Sequence, residues 1–215
     1  MKKFLLVLIL FFSYDAFSQT AEEYFKRAFD KVENGDYYGG IADYTKAIEL
    51  NPNDADAYYN RGNAKRKLED HYGAISDFNK AIELKPDYAL AYNNRGYTKD
   101  DLEDYYGAIS DYNKAIELKP DYASAYYNRG IAKSNLEDHY GGISDYNKAI
   151  ELKPDYANAY YNRGWSKNKL GDYNGAISDF TKTLDFKPDY VVSYYNRGWS
   201  KSKLEDYYGA ISDYN

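Results

Sequence analysis

The sequence predicts an all-α solenoid of stacked helix–turn–helix units. Three observations carry that expectation. The five prolines fall at positions 52, 86, 120, 154 and 188, each 34 residues after the last, and a fixed period of that size is the signature of a repeat array. Within each period, apolar and small residues recur at three- and four-residue spacing, the period of a helix face. Hydrophobic residues make up 44% and charged residues 29% of the 215-residue chain, so a packed fold is expected rather than disorder.

Composition also excludes several chemistries. With no cysteine, disulfide frameworks, thiolate zinc sites and cysteine nucleophiles are ruled out. Two histidines leave little for a metal, and a net charge of −6 argues against a nucleic-acid partner. No cofactor is expected. His71 and His139 stand where other units have Tyr37, Tyr105, Tyr173 and Tyr207, which makes them register substitutions rather than catalytic groups. A carboxylate copied six times does not mark one active site, so an enzyme is not expected.

At the N-terminus, Lys2 and Lys3 precede an unbroken apolar run from Phe4 to Phe12, and a polar stretch ends in Ala16-Phe17-Ser18. That is the layout of a secretory signal peptide over residues 1–18. Nine apolar residues are too few to span a bilayer, which takes about 20. The expected destination is the periplasm or the extracellular space, without stable membrane insertion after cleavage.

The remainder reads as one unit written six times, over 21–54, 55–88, 89–122, 123–156, 157–190 and an incomplete 191–215. In the second unit, one helical pattern runs from about Ala55 to Leu68 and another from about His71 to Lys85. Asp70 precedes the second helix, where its carboxylate can take an orphan amide, and the residue recurs as Asp36, Asp104, Asp138, Asp172 and Asp206. Pro86 ends the second helix, and Asp87 is expected to cap the following first helix. Gly62, Ala74 and Ala81 are expected where helices approach closely. Tyr58, Phe78 and Leu84 fill the remaining volume.

This unit resembles the tetratricopeptide repeat, whose pattern is W-x2-L-G-x2-Y, then A-x3-F, then P. Tyr58 stands for the tryptophan, and Gly62, Ala74, Phe78 and Pro86 match directly. Two positions depart in every unit: Arg61 replaces the leucine and Lys65 the tyrosine. Each unit also carries an aspartate before its second-helix aromatic, Asp77 in the second, so a ladder of Arg–Asp pairs is expected, with a row of ligand-contacting arginines as the alternative. For the lysines the expectation is only a stem on the surface with its ammonium in water. The last unit stops midway along its second helix. With Ile211 and Tyr214 left uncovered, it reads as cut from a longer protein, the alternative being that something else covers that end.

The resemblance implies a right-handed superhelix with first helices lining the concave side. There, Asn60, Asn94, Asn128, Asn162 and Asn196 form a row of amides that could hold an extended peptide backbone or only brace local structure. A second row holds Tyr59, Tyr127, Tyr161 and Tyr195, with Asn93 as the exception, and a third includes Tyr97, Trp165 and Trp199. Rings beside amides suit recognition, although they could also pack between first helices. The function expected is a non-catalytic scaffold binding protein or peptide segments in the groove. The alternatives are a glycan-binding envelope module and the targeting region of a longer enzyme or sensor. A dicarboxylate clamp is not expected, because Tyr59, Asn93 and Tyr127 stand where it needs lysine.

Overall fold

A computed structural model describes residues 19–215; the signal-peptide reading falls on residues outside that range. Among the described residues there are twelve helices and no strand. They are α1 (Ala21–Glu33), α2 (Tyr37–Leu50), α3 (Ala55–Lys67), α4 (His71–Leu84), α5 (Ala89–Asp101), α6 (Tyr105–Leu118), α7 (Ala123–Asn135), α8 (His139–Leu152), α9 (Ala157–Lys169), α10 (Tyr173–Phe186), α11 (Val191–Lys203) and α12 (Tyr207–Tyr214). Each odd helix packs against the even helix after it, and each even helix against the next odd one. Odd helices also touch the next odd helix, whereas no even helix meets the next even one. The chain is therefore an α-solenoid whose odd helices lie on the tighter, inner side.

The turn inside each pair is built the same way throughout. After α3, Asp70 N–H reaches Lys65 O at 3.0 Å and Glu69 N–H reaches Arg66 O at 3.0 Å, the paired bonds of a Schellman motif. That motif needs a left-handed residue. Gly35 and Gly171 supply it in the first and fifth units, while Glu69, Glu103, Glu137 and Glu205 adopt it at φ between 61° and 64°. Asp70 then caps α4 by accepting from Gly73 N–H at 3.0 Å, and every other second helix has the equivalent bond.

First helices start differently from expectation. Asp87 does not cap α5: Tyr88 occupies the N-cap position and makes no side-chain bond there. The same holds at Tyr122, Tyr156 and Tyr190. Burial explains the exchange, because Tyr88 is 9% exposed, and its ring is worth more between two units than a cap is at the helix end. Only α1 and α3 have side-chain caps on their first helices, from Thr20 and Asp54.

The core is small residues wrapped around one aromatic per unit. Ala57, Ala64, Ala74, Phe78 and Ala81 are fully buried, while Tyr58 and Leu84 are half-buried. A Cβ on Gly62 would lie 2.9 Å from Phe78, and one on Gly130 would lie 2.7 Å from Tyr146. Close approach therefore outweighs the roughly 1 kcal/mol that glycine costs inside a helix.

The Arg–Asp ladder is present and is wider than expected. Arg61 donates from Nε and Nη2 to both oxygens of Asp77, at 2.9 and 2.7 Å, and from Nη1 to Thr45 of the preceding unit at 3.0 Å. Asn79, Asn113, Asn147 and Thr181 take the corresponding bond in later units. The lysine expectation was wrong: Lys65 Nζ lies 2.8 Å from Asp77, and its side chain is only 20% exposed. A buried carboxylate flanked by two helices has room for two cations, and the second cation fills the place of the family's tyrosine. In the first unit the Arg27 hydrogen bond holds the Asp43 carboxyl down at about 2.

Candidate ligand groove on the inner helices

Side chains that leave the odd helices away from the paired even helix form the inner face. Its amide and tyrosine rows turn out to be one cross-linked ladder. Asn94 donates to the Tyr59 phenol oxygen at 3.1 Å, Asn162 to Tyr127 at 3.0 Å and Asn196 to Tyr161 at 2.9 Å, each reaching back one unit. Where Asn93 replaces the tyrosine, Asn128 donates to its carbonyl oxygen at 3.2 Å. Asn60 instead donates to the Asp56 carbonyl at 2.8 Å in its own helix. Asn94 commits its whole amide, since it also donates to Asn63 Oδ1 at 2.8 Å and accepts from Asn93 Nδ2 at 3.1 Å, whereas Asn60, Asn128, Asn162 and Asn196 each commit one amide donor and lie half-buried along the groove.

Behind this ladder the tyrosine rings pack against the N-cap tyrosines, tilted in two pairs and edge-on between Tyr161 and Tyr190. Centroids are 5.0 Å apart for Tyr59 and Tyr88, 4.8 Å for Tyr127 and Tyr156, and 5.2 Å for Tyr161 and Tyr190. Desolvation raises the phenol pKa of both Tyr127 and Tyr161. Tyr59, Tyr127 and Tyr161 therefore serve the packing between units as much as the groove, whereas Tyr195 is 59% exposed.

The third row is the open one. Tyr97 is 40% exposed beneath the Arg66 guanidinium, and Trp165 is 36% exposed. Trp165 stands edge-on to His139 at 5.4 Å, and Trp199 to Tyr173 at 5.7 Å. Lys169 Nζ and Lys203 Nζ lie over these indoles at 4.9 and 5.1 Å. A cavity of about 220 Å³ opens between them, lined by Trp165, Asn168, Lys169, Tyr195, Asn196 and Trp199. A second, of about 340 Å³, continues along the groove past Trp165, Asn162, Tyr161 and Ile131. The structure thus brings Trp165, Trp199, Tyr195 and Asn196 together; Asn60 and Tyr97 lie units away. Sequence reasoning missed the stacked lysines and the N-cap tyrosines, although both recur at the 34-residue period.

Two family models match the chain, tetratricopeptide repeat over 55–88 and 157–190, and TPR repeat over 31–69, 101–136 and 142–165. The chain is a tetratricopeptide-repeat protein. No curated protein matches it significantly. Among solved structures, MamA is 27% identical with a TM-score of 0.70, over 75% of this chain and 94% of that one. YrrB, described as a TPR protein with an unusual peptide-binding site, is 26% identical with a TM-score of 0.67, over 79% of this chain and 88% of that one. PilW, a type IV pilus biogenesis factor, shares the fold at a TM-score of 0.80, with 19% identity and 90% coverage of both chains. In the TPR solenoid the inner face is built by the first helix of each repeat, and here that face carries both tryptophans of the chain. Among the described residues there is no grouping of three side chains able to hold a metal ion, and no helix long and apolar enough to cross a membrane.

Proposed function

We propose that this TPR protein is a non-catalytic scaffold that binds extended protein segments along its inner groove, with the centre of the site between repeats five and six. One observation carries the reading: Trp165 and Trp199 line a single open cavity together with Asn168 and Asn196. Rigid rings provide contact area at little entropic cost, and amides can pair with a peptide backbone of any sequence. The likeness to YrrB, whose description names a peptide-binding site, supports the same ligand class. Export of the chain, suggested by the apolar run from Phe4 to Phe12, would place this scaffold in the cell envelope or outside the cell.

Because the only two tryptophans both border the groove, intrinsic fluorescence reads the site directly. Titration with peptides should shift or quench the emission, and Trp165→Ala should weaken binding about tenfold or more. Emission that responds to oligosaccharides and not to peptides would replace this reading with a glycan-binding one.

A further inference from the structure

Two places along the odd helices hold a charge that makes no ion pair within the fold. The first lies in repeats five and six. Arg163, Lys167, Arg197 and Lys201 are spent on Asp179 and Asp213. Lys169 and Lys203 have no carboxylate partner among the described residues and rest on the indole faces instead. The inner helices α7, α9 and α11 contain no acidic residue.

The second lies in repeat three. Asp100 Oδ1 is sealed from solvent without a hydrogen-bond partner, and so is the hydroxyl of Tyr112, a fully buried side chain. In the next repeat the corresponding residues, Ser134 and Tyr146, approach at 3.3 Å and complete each other. In repeat three a carboxylate stands where that serine does, beside a second one, Asp101. Burial, and after it the charge of Asp101, push the Asp100 carboxyl up to about 6.

We propose that the groove selects a peptide segment of mixed charge, seating an acidic side chain at Lys169 between the two indoles and a basic side chain at Asp100 in repeat three. The proposal rests on the peptide-groove reading and adds the charge pattern of the guest. An ammonium lying on an aromatic face has already lost part of its hydration, so a guest carboxylate pairs with it at a smaller desolvation cost. A guest cation pairs with the Asp100 carboxylate through Oδ2, the oxygen that is not sealed. Charges placed at two separate stations also penalise guests of the wrong pattern, which is how electrostatics confer specificity.

The test is a random-peptide display library panned against the immobilised protein, followed by fluorescence titration of synthetic copies of the enriched peptides. Enriched sequences should carry an acidic and a basic residue at separate positions. Lys169→Gln should weaken them about tenfold, and exchanging the peptide's acidic residue for its amide should then cost nothing further. Asp100→Asn should weaken only those peptides that carry the basic residue. Enriched peptides without that charge pattern, bound equally by the lysine variant and lost on Trp165→Ala, would overturn the charge assignment and leave the groove standing. Enrichment of no peptide that depends on Trp165 would overturn the groove reading as well.

Discussion

The side-chain amide of Asn162 donates to the phenol oxygen of Tyr127 at 3.0 Å, across the boundary between repeats four and five. The bond joins two rows of the inner face into a brace that recurs along the solenoid. Tyr127→Phe keeps the ring and removes only the acceptor, so it should cost about 1 kcal/mol. A double-mutant cycle with Asn162→Ala, followed by urea denaturation, should return a coupling of similar size; additive losses would show that the bond contributes nothing.

The aspartate at the centre of each ion-pair triad is the most sensitive polar position. Asp145 is 3% exposed and accepts from both Arg129 and Lys133. Asp145→Asn leaves two cations with no counter-charge and should cost about 3 kcal/mol, within the range for breaking a buried pair. The urea midpoint should fall accordingly, while Lys148→Gln, which breaks an exposed pair with Glu151, should move it by about 0.5 kcal/mol or less.

Glu137 adopts φ 64° in the turn before α8, where the fifth repeat has Gly171. A left-handed conformation costs a side chain about 1 kcal/mol that glycine avoids. Glu137→Gly should therefore raise the melting temperature, and Gly171→Ala should lower it. Calorimetry that found the opposite order would remove the strain argument.

Asp100 makes stability depend on pH in a defined direction. Its folded-state pKa lies at about 6, above the ordinary 3.8 of an aspartate, so the folded protein binds this proton more tightly than the unfolded chain does. The cost of charging is present above the folded value and disappears below the unfolded one. Stability should therefore rise as the solution is brought from about pH 7 to about pH 4. Asp43 acts oppositely and at lower pH, since its contribution is lost as pH falls from 3.8 through about 2. In Asp100→Asn the rise between neutral and mildly acid pH should shrink to the part contributed by Asp101, whose carboxyl burial also raises; an undiminished rise would assign it to another group.

Much of this protein is legible because the same residues come back every 34 positions. The paired helices, the capping aspartates and the arginine–aspartate contacts follow from local periodicity and from the need to neutralise a buried charge. The misread positions share a different origin. Lys65 was expected in water and Asp87 at a helix cap, and both expectations came from one unit considered alone. What decides them is the neighbouring repeat: Asp77 has room for a second cation, and the ring of Tyr88 displaces a cap because it is buried between repeats.

By itself the sequence determined a helical repeat array, its period and the chemistry of the inner face, because helix periodicity and chain termination are local properties of the residues. Only the tertiary structure decided which of those face residues remain available. Tyr59, Tyr127 and Tyr161 are drawn into ring-to-ring packing and Asn94, Asn162 and Asn196 into bracing, whereas Trp165 and Trp199 stay at an open cavity with Lys169. Availability is a sum over contacts from adjacent repeats, and those contacts exist only once the helices have stacked.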